Sequence, residues 1–96
     1  MKSSQVKRLI RKHKYIFSKY GIRKLAIFGS SLRNKGKATD IDILVEFRKP
    51  SFRSYIYLAR ELEKILKKRV DLVTLNSLSP HIRPYVLKEA EYLEGL

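Results

Sequence analysis

Two acidic side chains, Asp40 and Asp42, stand at alternate positions of a short apolar stretch. The alternation predicts a β-strand, in which both carboxylates point to the same face and lie about 6.6–6.8 Å apart along the strand. Asp71 lies in a further predicted strand. If these strands are neighbours, a lateral spacing of about 4.7–4.9 Å brings three carboxylates together. Alternatively, Asp71 could simply form an ion pair with Arg69 or Arg23.

Three carboxylates at one place favour a bound cation, because like charges repel unless a cation lies among them or one group is protonated. Mg²⁺ prefers oxygen ligands and is commonly held by one or two carboxylates together with substrate phosphates. The acids therefore predict a Mg²⁺ site. Two ions about 3.5–4 Å apart would support an in-line displacement at phosphorus.

Gly29 and Ser30 follow another predicted strand and supply groups suited to a phosphate. Glycine at this point lets the backbone approach a ligand closely, and a serine hydroxyl can donate to a phosphate oxygen. Arg33 and Lys37, in the loop that follows, add positive charge. The loop is not a Walker A motif, because Lys37 is followed by Ala38 rather than by Ser or Thr.

The apolar pattern predicts the elements that must position these groups. Val6, Ile10, His13, Phe17 and Tyr20 recur at helical spacing and predict one helix over residues 4–19. The further predicted elements are strand 23–28, loop 30–39, strand 40–47, helix 55–66, strand 70–75, and a turn at Ser79-Pro80 with a helical restart near residue 84. Residues 87–96 could form a helix or a short edge strand.

This order of elements predicts an α+β fold, a small mixed β-sheet with helices packed on one face. A chain of 96 residues has room for one core, so residues 1–96 are expected to form a single domain. Acceptors or partners would then have to bring their own binding surface.

The composition excludes several classes of protein. There are no cysteines, which excludes disulfide scaffolds, thiolate zinc sites and thiol catalysis. No apolar run approaches the length of a membrane span, so a cytoplasmic protein is expected. The net charge is +13, and residues 1–39 contain twelve Lys and Arg but no acid, which favours polyanionic ligands or an acidic partner.

The chemistry-bearing residues together resemble a known family. Phe28-Gly29-Ser30, the basic loop and the stretch from Thr39 to Val45 are similar to the Gly-Ser…Asp-x-Asp signature of the DNA polymerase beta-type nucleotidyltransferase superfamily. The small size and the later Val70-Asp71-Leu72-Val73 resemble its minimal nucleotidyltransferase (MNT) branch. The likeness covers roughly residues 25–93 and implies the nucleotidyltransferase fold.

The resemblance also implies roles for particular residues. Catalysis and Mg²⁺ binding would fall to Asp40, Asp42 and Asp71, the last of which would activate the acceptor hydroxyl. The nucleotide triphosphate would be bound by Gly29, Ser30 and Arg33.

MNT proteins are commonly partners of HEPN-domain toxins, so the resemblance implies an antitoxin that transfers AMP from ATP to a tyrosine of such a toxin. Two alternatives remain open from the sequence. The chain could neutralise a toxin by binding alone, with a vestigial site, or it could be a basic nucleic-acid-binding module. Nucleic-acid binding would weaken steeply with salt and would not depend on the acids.

Overall fold

A computed structural model describes residues 2–29 and 40–93. Within these ranges, no helix is both long enough and apolar enough to cross a membrane. The helices are α1 (Ser3–Lys12), α2 (Tyr15–Lys19), α3 (Phe52–Leu66) and α4 (Arg83–Glu89), and a 3₁₀ turn spans Leu75–Ser77. The strands are β1 (Ile22–Phe28), β2 (Asp40–Phe47), β3 (Arg69–Thr74) and β4 (Glu91–Tyr92).

The strands form one mixed sheet in the order β3-β2-β1-β4. β1 pairs antiparallel with both β2 and β4, whereas β2 and β3 are parallel. The parallel pair is possible because α3 crosses between β2 and β3 and returns the chain to the same end of the sheet. The predicted α+β fold with a small mixed sheet is confirmed.

The hydrophobic core lies between one face of this sheet and the helices. α3 contributes Leu58, Leu62 and Leu66, which are at most 1% exposed and recur at the four-residue spacing of one helix face. The sheet contributes alternate residues of each strand, whose side chains share a face. The fully buried members of that set are Leu25, Ile27, Ile43 and Val45.

The single N-terminal helix predicted over residues 4–19 is wrong, because α1 ends at Lys12 and α2 begins at Tyr15. His13 closes α1, where its ring Nδ1 lies 2.8 Å from the Leu9 carbonyl oxygen. Because the helix is interrupted here, the fully buried residue of α2 is Ile16, whereas Phe17 of the predicted apolar stripe is only partly buried.

The other helix boundaries also differ in detail. α3 begins at Phe52, three residues before the predicted start, because Ser51 caps it and accepts a hydrogen bond from the Ser54 amide at 3.2 Å. The helical restart expected near residue 84 is confirmed by α4. The undecided C-terminal stretch contains the end of α4 and then β4, an edge strand.

A polar cluster ties α2 to α3 on the helical side of the molecule. Glu61 accepts hydrogen bonds from the hydroxyls of Tyr15 and Tyr20 and from Lys19 Nζ at 3.1 Å. Burial, the largest single influence, raises the pKa of Glu61, but the three hydrogen bonds and the positive charge of Lys19 together outweigh it and lower that pKa. The bond to Glu61 in turn raises the pKa of Tyr15 and that of Lys19.

Candidate active site

The register of the sheet places Asp42 and Asp71 side by side. They are direct partners in the parallel pairing of β2 with β3. Paired residues point to the same face of a sheet, here the face opposite to the core residues Ile43 and Leu72, which are the next pair along. The condition set out from the sequence, that the strand of Asp71 is a neighbour of the strand of Asp42, is therefore met.

Asp40 lies on the same face but further along the strand. It is the first residue of β2, and its register partner on β3 is Arg69 rather than an acid. Among residues 2–29 and 40–93, no three His, Cys, Asp or Glu side chains lie close enough together to hold a metal ion. The structure thus brings Asp42 and Asp71 together, whereas Asp40 lies two residues from Asp42 along β2.

Gly29 packs directly against the carboxylate of Asp42. The glycine follows β1 and has a φ of +72°, which lies in the left-handed region that side chains disfavour. A Cβ at this position would lie 2.3 Å from Asp42 Oδ2 and 3.0 Å from its Cγ. The sequence suggested that glycine here lets the backbone approach a ligand, and the structure shows that it makes room for a catalytic candidate.

The candidate acids differ in exposure, since Asp40 and Asp71 are exposed and Asp42 is partly buried. Two ion pairs occur in the described part of the chain, Lys7–Glu91 at 2.6 Å and Lys19–Glu61 at 3.1 Å. Neither involves Asp71. The alternative in which Asp71 pairs with Arg69 or Arg23 is therefore not observed within the described residues.

The remaining two candidates, Ser30 and Arg33, lie outside the described residues, as does the rest of the basic loop over residues 30–39. Their expected role in nucleotide binding stays a prediction. Gly29 is the part of the predicted nucleotide-binding turn that the structure describes.

An apolar groove of about 610 Å³ begins at Asp71 and runs between β3 and the start of α3. Phe52 at its rim is 80% exposed, which is unusual for a phenylalanine. Sequence reasoning missed this groove. The available signal was an aromatic residue directly after Pro50-Ser51, ahead of the amphipathic stripe. Besides Asp71 and Phe52, the groove is lined by Phe47, Pro50, Tyr55, Leu72 and Val73 and by the hydroxyl residues Ser51, Thr74 and Ser77.

The profile of the family described as polymerase beta, nucleotidyltransferase, matches residues 11–94, which include the three candidate acids and Gly29. The chain belongs to this nucleotidyltransferase family. As a nucleotidyltransferase it acts on a nucleotide substrate, and the matched range contains all six residues that the sequence singled out.

Relatives of this nucleotidyltransferase carry a more specific name. A Methanocaldococcus jannaschii protein whose name places it among the protein adenylyltransferases is 44% identical over 93 residues, which cover 92% of this chain and 90% of the relative. The protein adenylyltransferase MntA of Thermococcus cleftensis is 40% identical over 82 residues and 83% of each chain.

Solved structures share the fold of this nucleotidyltransferase. A minimal nucleotidyltransferase structure superposes with a TM-score of 0.74 at 28% identity, covering 95% of both chains. An MNT antitoxin in complex with a tri-AMPylated HEPN toxin of Shewanella oneidensis matches with a TM-score of 0.68 at 24% identity, covering 95% of this chain and 73% of the other.

Proposed function

We propose that this nucleotidyltransferase transfers AMP from ATP to a tyrosine hydroxyl of a HEPN-type toxin and thereby acts as its antitoxin. The observation that carries the proposal is the adjacency of Asp42 and Asp71 on one sheet face, with Gly29 packed against Asp42. The adenylyltransferase names of relatives at 40–44% identity support the reaction type. We further propose that residues 1–96 act as one domain, to which the partner presents its own acceptor tyrosine.

In this mechanism the acceptor oxygen attacks the α-phosphorus of ATP. A bond forms between the tyrosine oxygen and phosphorus, the bond from phosphorus to the β-phosphate oxygen breaks, and pyrophosphate leaves. The phenolic proton passes to the carboxylate of Asp71, which acts as general base. Asp71 suits this role because it is exposed and therefore accessible to an acceptor from another protein.

The carboxylates fit Mg²⁺ by the chemistry of their donor atoms. Asp42 and Asp71 offer oxygens at adjacent register positions, and Asp40 adds a carboxylate on the same face. One or two carboxylates with substrate phosphates are a usual set for Mg²⁺, so the acids present suffice without a preformed group of three. When bound, Mg²⁺ would neutralise charge on the triphosphate. Gly29, Ser30 and Arg33 would bind that triphosphate from the β1 side.

Replacing Asp71 by Asn tests the general base. The change keeps the size of the side chain but removes its ability to accept a proton, so transfer should fall by about 10²- to 10⁴-fold. The assay incubates the protein with Mg²⁺, ATP and the product of an adjacent toxin gene. It then follows the adenylyl adduct on the toxin by mass spectrometry.

The same variant separates chemistry from neutralisation by binding. If the transfer reaction protects the cell, Asp71→Asn and Asp42→Asn should still form the complex but should no longer neutralise the toxin. Unchanged neutralisation without any adduct would refute the proposal and favour occlusion. Glu46→Gln on the same strand is a matched control, because Glu46 lies outside the group of candidate acids.

A further inference from the structure

We propose that the apolar groove beside Asp71 binds the aromatic ring of the acceptor tyrosine, with Phe52 as the surface against which the ring packs. This inference rests on the proposed function and deepens it, since it assigns residues that select the acceptor. Phe52 would be a specificity-determining residue and takes no part in proton transfer.

The position of the groove agrees with the direction of an in-line displacement. Incoming and leaving oxygens lie on opposite sides of the phosphorus in such a reaction. The candidate residues follow the strand order, with Gly29 after β1, Asp42 on β2 and Asp71 on β3. If the triphosphate binds on the β1 side, the acceptor must approach from the β3 side. The groove opens on that side and includes Asp71 in its wall.

The chemistry of the groove suits a ring better than a phosphate. Its described lining contains no Lys or Arg, and Asp71 provides its only charged group. Tyr55 donates its hydroxyl to the Leu72 carbonyl oxygen at 2.5 Å, which leaves its ring as the surface available to a ligand. A volume of about 610 Å³ lies within the usual range for ligand pockets. Largely apolar walls with the hydroxyl residues Ser51, Thr74 and Ser77 match a phenol, and Asp71, the proposed general base, is among the lining residues.

Phe52→Ala tests this assignment. Because the Phe52 side chain is 80% exposed, its removal should leave the fold intact. An aromatic pair contributes a modest free energy, so kcat/KM for the acceptor protein should fall roughly two- to tenfold. The dissociation constant of a non-hydrolysable ATP analogue should stay at the wild-type value.

Two control variants sharpen the comparison. Phe52→Tyr retains the ring and should keep wild-type transfer. Tyr57→Ala removes a half-exposed ring from the same helix, but at a position that lines a different groove, and should have no effect on transfer. The inference is overturned if Phe52→Ala transfers AMP as wild type does. It is also overturned if Phe52→Ala binds the ATP analogue less tightly, because the groove would then hold the adenine ring.

A double-mutant cycle tests the direct contact. The affinity of the complex is measured for wild type and Phe52→Ala, each with the natural toxin and with a toxin whose acceptor tyrosine is replaced by alanine. If the two rings pack together, the losses should not be additive. Additive losses would overturn the inference. If the wild-type protein transfers no AMP to tyrosine, the proposed function itself fails, an outcome distinct from either result with Phe52.

Discussion

Replacing Gly29 by alanine should displace the Asp42 carboxylate, and the structure gives the size of the displacement. The new Cβ would lie 2.3 Å from Asp42 Oδ2, whereas ordinary contact begins at 3.4 Å, so this oxygen must retreat by about 1.1 Å. Misplacement of a catalytic group by about 1 Å can reduce the rate by about 10²-fold. We therefore expect adenylyl transfer by Gly29→Ala to fall by about two orders of magnitude.

The same substitution also strains the backbone, and Gly21 provides the matched control. Gly21 has a φ of +61°, close to the +72° of Gly29, but a Cβ there would meet nothing within 4 Å. The left-handed conformation costs a residue with a side chain about 1–2 kcal/mol. Both variants should therefore lose about this free energy of unfolding to backbone strain, with a further loss in Gly29→Ala from the contact with Asp42, while only Gly29→Ala should lose most of its activity.

The measurement combines urea unfolding of both variants with the transfer assay at equal concentrations of folded protein. If Gly29→Ala were as active as Gly21→Ala, the packing of Gly29 against Asp42 would not matter for catalysis. Equal and large losses in both variants would show that backbone strain, rather than displacement of the carboxylate, is responsible.

Three further changes test the forces that hold the fold. Because hydrogen bonds lower the pKa of Glu61, the stability that its carboxylate supplies is present above its ordinary pKa of 4.5 and is lost as the pH falls through the lowered value. In Glu61→Gln, the free energy of unfolding measured in urea should therefore change less over this acidic range than in wild type. Leu62→Ala, at a fully buried position, should lower the free energy of unfolding by about 2–5 kcal/mol. Glu91→Gln, which breaks the partly exposed pair with Lys7, should lower it by less than about 1 kcal/mol in the same assay.

Much of the architecture could be predicted because it depends on local periodicity. The alternation over residues 40–47 predicted β2 with its observed bounds, and the apolar stripe ending at Leu66 predicted most of α3. The boundaries that were missed depend on end contacts, namely the cap formed by Ser51 and the closure of α1 at His13. Ending a helix at such a contact and continuing it by another residue differ little in free energy. The apolar pattern does not show these contacts, so it leaves the helix ends uncertain by a few residues.

The sequence by itself determined that Asp40 and Asp42 share a face, because side chains alternate along any strand. Only the tertiary structure decided that Asp71 stands beside Asp42 and that Arg69 stands opposite Asp40. It also placed Gly29 against a carboxylate and Phe52 at the rim of the groove. The physical reason is that strand register and helix placement follow from burying Ile43, Leu72 and the α3 leucines together, and a single stretch of sequence cannot specify such contacts.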